Sequence, residues 1–178
     1  MLGGSPGWAG SVAPVIYSHS AAYSICPHPR NVEDDVLELI MDRNSLVMVN
    51  FYPGFISCVE SDNGSGVPDY VPENGTIHQV VKHIMYIGNR IGYDHVGLGS
   101  DFDGIMDVPK GLEDVSKYPA LIAELLRRGL SDEDAAKVVG GNLLRVWEEV
   151  DAVARRMQAE GELPLEDDLP DMLPEALD

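Results

Sequence analysis

The sequence predicts an α/β fold in which a parallel sheet is covered by helices. Three observations carry that prediction. Short, unbroken apolar runs alternate with segments whose apolar residues recur at helical spacing, and beyond residue 101 only helical patterns follow. Two of the apolar runs also end in a residue able to hold a metal or move a proton, His19 and Asp101. A parallel strand buried on both faces reads as a continuous Val/Ile/Leu run, and strand–helix alternation with right-handed crossovers yields a parallel sheet. Polar residues at the C-terminal ends of such strands are where catalysis sits in α/β barrels.

Taken in order, Ala13–Ser18 running into His19 is the first strand. Pro29 and Asn31 then introduce a helix with Val36, Leu37, Ile40 and Met41 on one face. Ser45–Phe51 is the second strand. The polar, Gly-rich stretch from Tyr52 to Gly75 is longer than a simple connector, and such loops are commonly functional. Thr76 and Gln79 have the spacing of a capping box. The helix behind them carries Ile77, Val80, Val81, Ile84, Ile87 and Ile91 and closes at Gly92. His95–Ser100 is the third strand, running into Asp101. One helix starts at Pro119 and ends with Arg127 and Arg128 before Gly129, and a second is capped by Ser131 with Asp134. Asn142 caps a long third one that carries Leu143, Leu144, Trp147, Val150 and Met157. A closed (β/α)8 barrel needs eight strands and about 250 residues. Three visible strands therefore leave two alternatives, the last part of something larger or a small open sheet.

Composition excludes several function classes. The 178 residues are 44% hydrophobic and 24% charged, an ordinary globular mixture, and no stretch approaches the ~18 consecutive apolar residues of a membrane helix. A net charge of −18 argues against nucleic acid or an anionic membrane surface as partner. Half of that excess lies between Glu148 and Asp178, where 11 acids face 2 bases. Residues 162–178, with Pro164, Pro170 and Pro174, lose helical periodicity and read as an acidic tail. Met1–Trp8 has neither a basic n-region nor an apolar h-region, so no signal peptide is expected, and the chain reads as cytoplasmic if complete. Cys26 and Cys58 are the only cysteines, and in a chain without a secretion signal such a pair reads as reduced and buried. Asn63 and Asn74 fit the glycosylation sequon, in surroundings that read equally well as turns.

Five ordered motifs carry a resemblance: Tyr17-Ser18-His19-Ser20-Ala21-Ala22, Pro29-Arg30-Asn31-Val32, Val47-Met48-Val49-Asn50-Phe51, Gly97-Leu98-Gly99-Ser100-Asp101-Phe102-Asp103-Gly104, and Gly111 through Pro119. With Ala123–Gly129 and Gly141–Trp147 behind them, they resemble the membrane-type (renal) dipeptidases, binuclear zinc peptidases on a (β/α)8 metal-dependent-hydrolase barrel. The likeness runs from about Pro14 to Glu149 and corresponds to the C-terminal half of that family. It implies a non-family segment over 1–13, a partial barrel domain over 14–161 and the tail over 162–178. By resemblance, His19 matches a zinc-ligating His, and Arg30 the Arg that grips the substrate's free carboxylate. Asp101 matches the acid/base carboxylate that also meets the substrate's amino end. Cys26 and Cys58 match a disulfide pair of secreted animal members, and Phe55 stands where some relatives carry Tyr. The resemblance further implies a dipeptide substrate and a homo-oligomer, with longer relatives secreted or membrane-attached.

The chemistry of the residues agrees with these roles. Zinc takes neutral imidazole, and a catalytic zinc uses about three protein ligands plus water. A lone strand-end His otherwise satisfies buried backbone groups, and family context is what distinguishes His19 from His28, His78, His83 and His95, which read as surface or helix-face residues. Arg30 presents a planar fork matched to a carboxylate; outside the family pattern it reads as a solvated loop residue. Asp101 and Asp103 would otherwise be turn or cap residues. The implied reaction is hydrolysis by a water shared between two zincs, with Asp101 moving the proton and Arg30 orienting the substrate. The family's His-x-Asp pair, its bridging Glu and one further His have no counterpart in these residues. The expectation is therefore a truncated dipeptidase, and the alternative is a catalytically inactive fragment, either an interaction module or an incomplete gene product.

Overall fold

The computed structural model describes residue 2 and residues 10–62 and 64–164. Most of the segment 1–13, the sequon residue Asn63 and the tail beyond Pro164 therefore lie outside the described residues. Strand β1 (Ile16–Ser20), helix α1 (Asp34–Asp42) and strand β2 (Leu46–Val49) open the fold. After β2 come a single-turn helix, α2 (Pro53–Ile56), and two short strands, β3 (Cys58–Val59) and β4 (Asp69–Tyr70). Helix α3 (Ile77–Ile91), strand β5 (Val96–Leu98) and helices α4 (Tyr118–Arg127), α5 (Asp132–Ala136) and α6 (Asn142–Ala159) complete it. The main sheet is parallel throughout, in the order β1-β2-β5. Within the described residues, β1 and β5 each pair with β2 alone. The α/β reading with three parallel strands and C-terminal helices thus holds. The Gly-rich excursion differs from a plain loop, because β3 and β4 pair antiparallel within it.

The core lies between the sheet and the helices that cover one of its faces. Val47, Val49 and Val96 meet Leu37 and Ile40 of α1, Val80, Ile84 and Ile87 of α3, and Leu121 and Leu125 of α4, all fully buried. Each such side chain contributes about 1.5–3 kcal/mol by leaving water. Helix ends follow the residue chemistry. Asp34 and Asp35 lie in the first turn of α1, where the helix dipole favours negative charge. Ser131 accepts the Asp134 N–H to cap α5, as its spacing predicts. Two predicted caps differ. Thr76 occupies the N-cap of α3 but makes no side-chain cap bond, and Gln79 instead donates to the Ile56 carbonyl at 2.8 Å. Asn142 lies inside helical backbone and donates to the Tyr93 and Val96 carbonyls, at 2.7 and 2.8 Å. In both places a tertiary partner outcompetes the local one. Glu124 of α4 combines both kinds of contact: its helix neighbours Arg127 and Arg128 hold its carboxyl down at about 2, and His78 Nδ1 of α3 lies 3.0 Å from it.

The sheet curls tightly at its C-terminal end. A Cβ at Gly99 would overlap the carbonyl oxygen of Ser18, two strands away, and stand 2.9 Å from Met48 Cβ. The outer strands therefore close over the middle one, and only glycine leaves room for it. Gly99→Ala is expected to cost about 1–3 kcal/mol of overpacking or more, read as a lower midpoint in denaturant at unchanged slope.

Candidate functional site

The loops that leave the C-terminal ends of the three parallel strands gather on one side of the sheet. The register of β1 against β2 is broken there: Tyr17 opposes Val47, whereas Ser20 opposes Val49, so β1 carries one extra residue. A bulge of this kind re-aims side chains. By strand alternation, His19 falls on the face opposite Ser20 and Val49, away from the helices. Its Nδ1 is buried and has no hydrogen-bond partner among the described residues.

The loops after β1 and β2 are bound to each other at several points. Asn31 accepts from the Ala21 N–H at 3.1 Å and donates to the carbonyls of Cys26 and Phe55, at 2.9 and 2.7 Å. Cys26 and Cys58 are joined in a disulfide, with Cα atoms 4.8 Å apart. That is the pairing the family resemblance implies, not the reduced pair that composition suggests. His83 of α3 completes the stitching: its Nδ1 accepts from the Ala22 N–H at 3.0 Å, and its Nε2 donates to the Ile56 carbonyl at 2.8 Å.

His83 and His95 are both buried, which corrects the sequence reading of them as surface or helix-face residues for His95 and sharpens it for His83, whose helix face points inward. Burial lowers the His83 pKa to about 4. The unfolded chain therefore binds a proton near the ordinary value of 6.5 that the folded chain refuses until about 4, so stability is complete above 6.5 and falls as the pH drops. Between pH 7 and pH 5 we expect a loss of about 2 kcal/mol, at ~1.4 kcal/mol per pH unit inside that window. Denaturant unfolding at the two pH values measures it, and His83→Gln should flatten the slope.

Arg30 lies at the surface of this stitched platform, with its guanidinium 5.2 Å from the centroid of the Phe55 ring. Phe55 is itself held by Tyr52 and His28, at 4.8 and 4.4 Å between ring centroids. Burial, reinforced by the Arg30 charge, lowers the His28 pKa and keeps that ring neutral beside the guanidinium. Asp101 follows β5 with a left-handed backbone, φ +61°. The Gly104 N–H donates to the Asp101 carbonyl at 2.9 Å and closes the turn. Asn50, buried at the end of β2, lies 3.4 Å from the Asp101 carboxylate.

Arg30 and Asp101 line one cleft of about 240 Å³, together with Tyr52, Phe55, Gly104, Ile105 and Met106. A cation and an anion thus face a shared space with an apolar wall, an arrangement suited to a small zwitterion. His19 is not among the residues that line that cleft. Among the described residues, no three His, Cys, Asp or Glu side chains gather as a metal-holding group. His19 therefore fits one ligand position of a metal centre, by its buried and unpartnered nitrogen, and the described residues do not supply the rest. Nor does any described helix have the length and apolarity to cross a membrane.

From sequence, Asn31 reads as a helix start, whereas α1 begins at Asp34 with Glu33 at its N-cap and the Asn31 amide binds the loops instead; Asn50 and His83 had no part in the expected site. The signal available for Asn50 was a polar amide set among strand-end apolar residues, Val49-Asn50-Phe51.

Comparison with known proteins shows what the chain is similar to. A profile of the membrane dipeptidase family, peptidase family M19, matches residues 8–161. The chain is 52% identical over 157 residues to the dipeptidase aclJ of Aspergillus oryzae, covering 88% of the chain and 34% of that protein. It is 51% identical over 159 residues to an uncharacterized dipeptidase of Schizosaccharomyces pombe, covering 89% of the chain and 36% of the relative. Among solved structures it is similar to a Rhodobacter sphaeroides metallo peptidase liganded with a phosphinate mimic of the dipeptide L-Ala-D-Ala. That match has a TM-score of 0.63 and 31% identity, over 78% of this chain and 37% of the other. The chain spans about a third of the length of the curated relatives it matches.

Proposed function

The chain belongs to the membrane dipeptidase family, peptidase family M19, and from that premise we propose that it carries part of the active site of a zinc-dependent dipeptidase. The observation that supports this reading most directly is the cleft shared by Arg30 and Asp101. A dipeptide is a short zwitterion, and its two ends need groups of opposite charge within one small space.

Arg30 takes the substrate's free carboxylate, since its planar fork donates two parallel hydrogen bonds. Its platform on Phe55 limits the guanidinium's freedom before substrate arrives, which lowers the cost of binding. Asp101 meets the amino end and carries the proton between the attacking water and the leaving amine. His19 supplies one imidazole to the metal centre, and donors outside these residues complete it. Zinc, two per site in this reading, supplies Lewis-acid activation of water when bound. A dipeptide is the substrate class, and a homo-oligomer is the assembly.

The lack of three gathered donors among the described residues favours a second reading, a non-catalytic module of the same family. One experiment separates the two. The full gene product that carries these residues is assayed for hydrolysis of ordinary dipeptides, after chelation and after zinc is restored. The dipeptidase reading expects activity lost on chelation, regained with zinc and abolished by His19→Ala. Absence of hydrolysis, or hydrolysis indifferent to both chelator and His19→Ala, overturns it.

A further inference from the structure

We infer that Asn50 is a positioning residue of this site, holding the Asp101 carboxylate in the cleft through its side-chain amide. The catalytic consequence rests on the dipeptidase reading; the contact rests on geometry alone. Asn50 directly follows β2 and is fully buried. Its Oδ1 accepts from the Tyr52 N–H at 2.5 Å, an Asx-turn two residues on. That bond fixes which way the amide faces, because the flipped group would set two donors against each other. The NH2 is therefore the end turned toward Asp101, with Nδ2 3.4 Å from Oδ2.

Asp101 is constrained from the other side as well. Its left-handed backbone is uncommon for a residue with a Cβ, and such strain persists where the surroundings over-determine it. A Cβ at Gly104 would collide with Asp101 Oδ1, so that oxygen lies against the Gly104 backbone. One carboxylate oxygen is thus backed by Gly104 and the other by the Asn50 amide. A turn-forming Asn would need only its Oδ1; the NH2 aimed at Asp101 is what the turn leaves unexplained. Small misplacements of a proton-carrying group are costly to rate, since catalysis depends on a near-attack geometry.

The two roles separate by substitution. Asn50→Asp keeps the oxygen that receives the Tyr52 N–H and replaces the donor facing Asp101 with an acceptor. Asn50→Asp combined with Asp101→Asn exchanges donor and acceptor and restores the pair. Two readouts are taken on the same full gene product, thermal unfolding and dipeptide hydrolysis. We expect Asn50→Asp to lower the unfolding midpoint by about 3–6 °C, and the exchanged pair to return to within about 1 °C of Asp101→Asn alone. We also expect kcat for Asn50→Asp to fall about 10–100-fold with KM within about twofold.

An unchanged midpoint in Asn50→Asp, or no recovery in the exchanged pair, shows that the contact is not made and overturns the inference. Recovery of the midpoint with kcat unmoved overturns it too, because the amide is then merely structural. Absence of hydrolysis by the unsubstituted protein overturns the dipeptidase reading instead, and the midpoint pattern then decides the contact by itself.

Discussion

Asp101→Asn is expected to lower kcat for dipeptide hydrolysis by about 10²–10⁴-fold, the usual range for a positioned proton carrier, while KM stays within a few-fold. The substitution preserves shape, and an amide still fits against Gly104 at the foot of the cleft. What it removes is the ability to take up and release a proton, which lowers kcat, and the charge that meets the substrate's amino end, which the amide carbonyl replaces in part and which holds the change in KM to a few-fold. A loss that falls mainly on kcat is the mark of an interaction that strengthens in the transition state. Steady-state kinetics on a neutral dipeptide measures it. An equal rise in KM with little change in kcat would move Asp101 from proton transfer to binding alone.

Arg30→Ala is expected to act in the opposite way, raising KM about 100-fold and leaving kcat within a few-fold. Two hydrogen bonds from a charged donor contribute about 1.5–3 kcal/mol each, less what a solvent-exposed site returns to water. Arg30 sits at the surface end of the cleft, with the Phe55 ring beneath it. On the dipeptidase reading its partner is the substrate carboxylate, which takes no part in the bond change, so its loss removes binding that is equal in the ground and transition states. A dipeptide amide, which lacks the carboxylate, should then be hydrolysed about equally by the unsubstituted protein and by Arg30→Ala. If the amide still discriminates between them, Arg30 is not the carboxylate's partner.

The parts of this architecture that local chemistry dictates were legible in the sequence. The unbroken run Leu46–Val49 is a strand with Leu46, Val47 and Val49 buried and Met48 half-buried, and the periodic apolar residues of α3 form one buried stripe. Ser131 caps α5 because its partner lies three residues away on the same turn. The parts that escaped depend on contacts distant in sequence. Asn142 has the residue type of a cap, yet its amide reaches Tyr93 and Val96, more than 45 positions earlier. His83 sits at a helix position where periodicity gives burial but not partners, and both partners come from the loops that end the first two strands. The site divided along the same line. His19 and Asp101 were visible as polar residues ending apolar runs, and Arg30 through the family motif. The groups that fix their geometry, namely the β1 bulge, Asn31, Phe55 and Asn50, were legible only as neighbours in a string. Nothing in that string reports that the loops after β1 and β2 are bound together.

On the dipeptidase reading, Arg30 and Asp101 receive the two ends of a dipeptide while His19 reaches the metal. The most direct test is a crystal structure of the full gene product with zinc and a phosphinate dipeptide mimic. The expected result is the mimic's carboxylate on the Arg30 guanidinium, its amino group on Asp101, and a His19 nitrogen about 2.0–2.1 Å from zinc. A mimic seated outside the Arg30–Asp101 cleft, or a zinc centre that His19 does not touch, would contradict it.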